Sequence, residues 1–365
     1  MMKKILTLVS VAVILLSSCI HQFPESRPAQ VDLTLTFHTD MPYNKTVIFP
    51  DETKSGGQMS VNPDLFKPDF SDHVMYDVRY IVEAFRRLND GSYSKDPAAR
   101  WVFTDEDASR LDDYHFSVSI DEGDYIFRAW ADYVEAGTAH DLHWLTSNFR
   151  GIRLNMNDAS GYDGANEWRD AYVGSVEVEV IRYGHIEAPV SGVIQMKRPH
   201  GKYFFLTNDL DEFMTKVRAM RIQQQSSSID EDESTKGPEF DINDYTFVVT
   251  YTSFMPNSYN SHTDRANDSA PTATYESGLT QVDDTRAIMG FDYVITGTQE
   301  GTSVRVALTL KDKDGTVLAE HDNVNIPVNA NQYTLVEGRF LMQESSGGVA
   351  IDPGFNGPDI IVPVN

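Results

Sequence analysis

Hydrophobic residues in this chain recur mostly at every second position. Val31, Leu33, Leu35 and Phe37 alternate with Asp32, Thr34, Thr36 and His38, which predicts a strand over 31–37 with one buried face. Similar patterning predicts strands over 76–85, 114–120, 125–133 and 172–181. Asp121-Glu122-Gly123-Asp124 stands between two of these and reads as a hairpin turn. Residues 41–72 are rich in Pro, Gly, Asp and Ser and predict a long loop. A second set of strands is predicted near 193 and over 203–206, 245–251, 291–296, 304–310, 317–320 and 333–340. Asp312-Lys313-Asp314-Gly315 is a clear turn within that set. Only 209–220 has helical spacing: Leu210, Phe213, Met214 and Val217 share one face, with Asn208 or Asp209 placed to cap it. Residues 223–243 carry few apolar side chains and many Gln, Ser, Asp and Glu, a composition that predicts disorder. Many short strands separated by turns predict an all-β chain of two tandem β-sandwiches, at 31–192 and 193–365, with one short helix in the second.

The first residues break this pattern. Lys3 and Lys4 precede an uninterrupted run from Ile5 to Leu16 that is mostly apolar, and Leu16-Ser17-Ser18-Cys19 follows. A basic start, a short apolar run and small residues before a cut are the layout of a secretory leader over 1–18. The run is well short of the ~20 residues a spanning helix needs. Small residues before a cysteine resemble the lipobox of bacterial lipoproteins. That resemblance implies cleavage before Cys19 and lipidation of its thiol, with 19–30 (Pro24, Pro28 and polar residues) as a tether. Cys19 is the chain's one cysteine, so neither a disulfide nor a Cys-ligated metal is available. The formal charge of −25 becomes −27 when Lys3 and Lys4 leave with the leader. Such a charge disfavours nucleic acid and anionic membrane surfaces as partners.

Searches for catalytic patterns return little. No Gly-rich phosphate loop, nucleophile elbow or His-Glu-x-x-His site occurs, and no cofactor is implied. His140-Asp141-Leu142-His143 is the one close histidine pair; without a third ligand it reads as a solvated loop rather than a metal site. Residues 157–167 are rich in oxygen ligands and glycine but depart from the EF-hand spacing, so an ordinary turn is the simpler reading. Trp130, Trp144 and Trp168, with Tyr125, Tyr133 and Tyr172, could form a sugar-stacking platform, giving the alternative of a glycan-binding surface protein. Core and cross-strand packing is the competing reading for such aromatics. Asn44-Lys45-Thr46 and Asn267-Asp268-Ser269 match the N-glycosylation pattern. Asp268-Ser269-Ala270, expected in a loop before Pro271, resembles the O-glycosylation motif of Bacteroidota and makes Ser269 a candidate acceptor.

Several longer segments carry a family resemblance. The strand 123–132 (Gly-Asp-Tyr-Ile-Phe-Arg-Ala-Trp-Ala-Asp) and Trp168-Arg169-Asp170-Ala171-Tyr172 resemble the N-terminal half of fimbrillin-like lipoproteins of the Bacteroidota. Residues 196–204 (Met-Lys-Arg-Pro-His-Gly-Lys-Tyr-Phe) resemble the entry into their second domain. Residues 254–260, 289–293 and 347–353 are similar to a subgroup catalogued only as a domain of unknown function. The resemblance implies transthyretin-like sandwiches and a non-catalytic, outer-membrane-anchored pilus shaft, tip or anchor subunit. In shaft and tip subunits an Arg- or Lys-directed protease removes the first strand, and a neighbour's strand fills the groove. Here that strand is 31–37. Arg27 precedes Pro28, which blocks trypsin-like cleavage, and Lys45 and Lys54 come next. Lys54-Ser55-Gly56-Gly57 is a candidate processing site, with a plain flexible loop as the simpler reading. An uncleaved anchor or accessory subunit therefore fits better than a shaft subunit. The apolar end 360–364 is a candidate strand for donation to a neighbour or for closing its own domain. Ile20-His21-Gln22-Phe23 precede the first acid, Glu25, whereas surface export in this group often uses acids directly after the cysteine, leaving cell surface and periplasmic face both open.

Overall fold

The computed structural model describes residues 28–50, 62–67, 70–109, 111–156, 162–181, 190–227, 240–299 and 301–342. Cys19, Lys54 and the tail 360–364 lie outside them. The first half contributes β1 (Ala29–Phe37), β2 (Tyr43–Ile48), β3 (Tyr76–Arg86), β4 (Ala99–Asp105), β5 (Tyr114–Ile120), β6 (Gly123–Glu135), β7 (Trp144–Leu145), β8 (Ile152–Leu154), β9 (Ala171–Val180) and β10 (Val190–Met196). Next come β11 (His200–Thr207), helix α1 (Leu210–Ser227), β12 (Tyr245–Tyr251), β13 (Met255–Asn260), β14 (Arg265–Ala270) and β15 (Thr274–Gly278). The chain continues through β16 (Thr280–Gln281), β17 (Ala287–Ile295), β18 (Gly301–Asp312), β19 (Val317–Asn329) and β20 (Tyr333–Gly338). Among the described residues the fold is all-β with one α-helix. Among the described residues no helix is long and apolar enough to cross a membrane.

Two sheets, ordered β10-β1-β5 and β4-β3-β6-β9, face each other in the first half. Val31, Leu33 and Leu35 of β1 meet Val78, Tyr80 and Val82 of β3 and Phe127, Ala129 and Ala131 of β6 in one apolar cluster. Side chains alternate sides along a strand, so the other residues of β3 and β6 face away from this core. Ile81 and Trp130 use that second face to pack with Trp144, Phe149, Ile152 and Tyr259. β6 is thus buried on both faces, whereas the edge strand β4 keeps a half-buried/exposed alternation.

The second half pairs the sheet β16-β17-β11-β20-β2 with β15-β12-β18-β19. Leu210, Phe213 and Val217 of α1 close one side of its core, the face expected from their spacing. The helix is longer than predicted and takes in residues 223–227, so expected disorder gives way to helix there. The predicted cap Asp209 turns its side chain inward and accepts from Met342 N at 2.9 Å and Leu341 N at 3.4 Å. A smaller sheet, β14-β13-β8-β7, takes strands from both halves, with Arg153 opposite Ser258 and Ile152 opposite Tyr259.

Three expectations change. Residues 41–72 are not one loop, because β2 and a 3₁₀ turn at Pro63–Phe66 form within them. β2 is parallel to β20 of the second half, a partner almost three hundred residues away. Asp121–Asp124 is not a hairpin turn: β5 pairs with β1 and β6 with β3 and β9, so this turn carries the chain from one sheet to the other. The break expected at 192/193 falls inside β10, which pairs with β1 through Met196. Asp312–Gly315 does join paired strands, with Gly315 at φ +80° where an L side chain would be strained.

Candidate functional site

The segment that follows the predicted tether is woven into both halves. β1 lies between β10 and β5 and pairs with both along its length. Its Val31, Leu33 and Leu35 are essentially excluded from water. Burial of three such side chains contributes roughly 5–9 kcal/mol, an upper figure because unfolded chains already hide some surface. Six residues after β1 the chain enters β2 in the other sandwich. Pro42 O accepts from Tyr333 N at 3.1 Å, and Phe49 N donates to Glu337 O at 2.8 Å.

Where the halves meet, the structure buries charges alongside the apolar contacts of Trp130, Trp144 and Tyr259. Arg198 donates from Nε to Asp170 Oδ1 at 2.8 Å and from Nη2 to Asp170 Oδ2 at 2.9 Å. Its Nη1 reaches Thr39 O at 2.7 Å and Asn331 Oδ1 at 3.1 Å, so one guanidinium ties the end of β1 to both halves. Tyr172 OH donates to Asp170 Oδ2 at 2.9 Å. Burial alone would raise the Asp170 carboxyl, but Arg198 and His200 hold it well below the usual carboxylate range. Alongside, Arg169 Nη1 meets Asp292 Oδ1 at 2.5 Å, and Tyr162 and Tyr251 donate to Asp292 Oδ2 at 2.7 and 2.6 Å. Lys202 Nζ sits 2.6 Å from both carboxylate oxygens of Glu167, with the Phe291 ring 4.0 Å away. Burial pulls this ammonium's pKa below its ordinary value, against the opposing attraction of Glu167. A cleft of about 630 Å³ opens beside Arg198 and Lys202, walled by Met41, Tyr43, Phe66 and Tyr333.

This clasp gathers three of the sequence segments that carry the family resemblance. Residues 168–172 supply Arg169, Asp170 and Tyr172; 196–204 supply Arg198, His200 and Lys202; 289–293 supply Asp292 and the Phe291 ring. Sequence reading named these residues but gave them no role. The available signal was charge inside otherwise apolar, strand-forming stretches. Every acid in the clasp already holds a cation, an arrangement suited to fixing orientation.

Other candidates fare differently. Ser269 is exposed as expected, but it lies on the edge strand β14 rather than in a loop. Asn267 is also exposed, and its amide nitrogen donates to Arg150 O at 2.8 Å; Asn44 sits in β2 and reaches Thr334 Oγ1 at 3.4 Å. The sugar-stacking platform is overturned: Trp130, Trp144 and Trp168 are at most 4% exposed, and Tyr125, Tyr133 and Tyr172 are equally buried. Trp168 stacks on Tyr76 with centroids 4.0 Å apart and donates to Asp72 Oδ1 at 2.9 Å. Between the paired histidines, Asp141 accepts from Arg79 at 2.7 Å and Thr146 Oγ1 at 2.8 Å, while exposed His140 stands apart. Among the described residues no group of three or more His, Cys, Asp and Glu could hold a metal ion. Of 157–167, positions 157–161 lie outside the described residues.

Similar solved structures include a candidate polysaccharide-binding protein from Bacteroides thetaiotaomicron (12% identity, TM-score 0.40, 80% of each chain covered). The fimbrial anchor protein Mfa2 from Porphyromonas gingivalis is similar at 12% identity and TM-score 0.38, over 80% of this chain and 82% of that one. A candidate adhesin from Bacteroides thetaiotaomicron matches at 11% identity and TM-score 0.38, over 82% and 80% of the two chains. No curated protein matches this sequence. Residues 26–363 match the profile of DUF6562, and the chain belongs to this family of unknown function.

Proposed function

We propose that this chain is a non-catalytic cell-envelope lipoprotein of the fimbrillin-like group, acting as an anchor or accessory subunit of a fimbrium. In this reading Cys19 carries the lipid that holds it in the outer membrane, and other fimbrial subunits are its partners. One observation carries the proposal: the stretch directly after the tether supplies the middle strand of one sheet and an edge strand of the other. A pull transmitted through the tether is then borne by both sandwiches. Processing at Lys54 would have to strip out β1 and β2 together, opening a core in each half. Lys45 lies within β2, opposite Thr334. Both features favour an uncleaved subunit over a polymerising one. Ser269, exposed on an edge strand, remains the proposed O-glycan acceptor.

Intact mass of the protein purified from its native membrane, with and without a trypsin-like protease applied to the cells, tests the proposal. The expected species begins at an acylated Cys19 and keeps its length under protease. Loss of the segment up to Lys45 or Lys54, together with SDS-resistant ladders, would make the protein a shaft subunit instead. A Ser269→Ala variant losing a glycan mass would establish the modification, and an unchanged mass would remove it.

A further inference from the structure

The outer face of β6 holds a second charged site with a different character from the clasp. Arg128 stands on the same side of β6 as Trp130, turned toward the loop that follows β13. Its Nη1 donates to Ser261 O at 2.5 Å, while its Nε is buried without a partner. Ser258 Oγ, Ser261 Oγ and His262 Nε2 are likewise buried and unpartnered. Ser258 and Ser261 are only 1% and 5% exposed. The chain around Arg150 closes the site: Ser261 N donates to Phe149 O at 2.9 Å, and a Cβ on Gly151 would lie 3.8 Å from Ser258 Oγ. Burial first, then the charges of Arg128 and Arg150, push the His262 imidazole down to about 4.

Among the described residues no carboxylate is hydrogen-bonded to the side chains of Arg128, Arg150 or His262. Asp264, the acid that acts on Arg128, accepts instead from Tyr259 OH at 2.8 Å and from Thr298 Oγ1 at 2.6 Å. Glu83, opposite Arg128 in the β3–β6 pairing, is held by Arg100. Shortage of acids is not the reason, since Asp and Glu outnumber Lys and Arg by 55 to 30. Buried donors left without acceptors are costly, and a cationic cluster of them is matched by a group that only accepts. We propose that Arg128, Arg150, Ser258, Ser261 and His262 form a binding site for a small oxyanion, the sulfate, phosphate or carboxylate group of a ligand. Arg128, Arg150 and His262 are half-buried, so the site is open to solvent on one side.

Calorimetric titration of the full chain with sulfate, phosphate and glucuronate against chloride at fixed ionic strength tests this, with the His262 ring followed by NMR. Saturable binding is expected, with the His262 pKa rising as the anion replaces uncompensated positive charge. Arg128→Gln and Arg150→Gln should each weaken binding at least 10-fold, whereas Arg305→Gln, at an exposed position on β18, should not. If Arg128→Gln fails to fold, Arg150→Gln decides the matter. Tighter binding of glucuronate than of inorganic anions would assign the site to an acidic saccharide, and the reverse order to a free anion. No saturable heat and an unmoved His262 titration with all three would overturn the proposal, as would equal binding by the Arg150 variant.

Discussion

Between β1 and β6 the first sandwich is filled by Val31, Leu33, Leu35, Phe127, Ala129 and Ala131, whereas its joint to the second half encloses Asp170, Arg198, Arg169, Asp292, Glu167 and Lys202. Both regions are largely buried, but the forces differ. Apolar contacts carry little directional information and tolerate repacking. A buried guanidinium–carboxylate pair gains little net stability over hydrocarbon, yet it is costly to break and accepts few geometries. The comparison teaches that the core supplies stability, while the clasp adds directional contacts to the strand pairing and apolar packing that join the halves.

The largest expected effect comes from halving a clasp pair. Asp170→Ala leaves Arg198 buried beside the Tyr172 ring with no counter-charge, and urea denaturation should register a loss of about 3–5 kcal/mol. A loss below ~1 kcal/mol would break the contrast drawn above. Next comes the core: Leu33→Ala removes a side chain only 1% exposed and should cost about 2–5 kcal/mol, depending on how far the sheets collapse around the cavity. The sharper test replaces both partners. Asp170→Leu with Arg198→Met should bring stability back to within ~1 kcal/mol of the parent. Small-angle scattering should then show a wider spread of arrangements between the halves; an unchanged profile would mean that the clasp does not orient them.

A further effect is a pH dependence at the oxyanion-site histidine. Folded His262 takes up its proton near 4, the unfolded residue near 6.5. Between those values the unfolded state binds more protons, so stability should fall as pH drops through that window and level off below it. His262→Gln should flatten this part of the urea-midpoint profile, and an unaltered slope would assign it to another group.

Much of this architecture was legible from alternation alone. The strand read at 31–37 appears as Ala29–Phe37, and 245–251 has the bounds read for it. These strands bury one face against a partner sheet, so period two survives in the sequence. β2 was illegible because it is short, parallel and at an edge, with only Thr46 and Val47 buried. The turn after β5 looks locally like any hairpin turn; whether it joins paired strands depends on Leu33 and Val31 claiming β5 first. For Trp130 and Trp144 a core was the simpler reading than a platform, and composition could not decide between them, since it is the same in either place. The clasp was present only as unexplained charges, because Glu167 and Lys202, or Arg169 and Asp292, gain meaning when distant strands bring them within 3 Å.

The sequence by itself determined strand periodicity, the apolar face of α1 and the turn at Asp312–Gly315, because each depends on neighbours within a few residues. Tertiary structure alone decided that β1 is a middle strand and that β2 belongs to the far sandwich. It also decided that the tryptophans are interior, that Asp170 holds Arg198, and that Asp264 bonds Tyr259 and Thr298 rather than Arg128. Pairing across a sheet and compensation of a buried charge are settled by which distant groups can approach, and no local pattern encodes that.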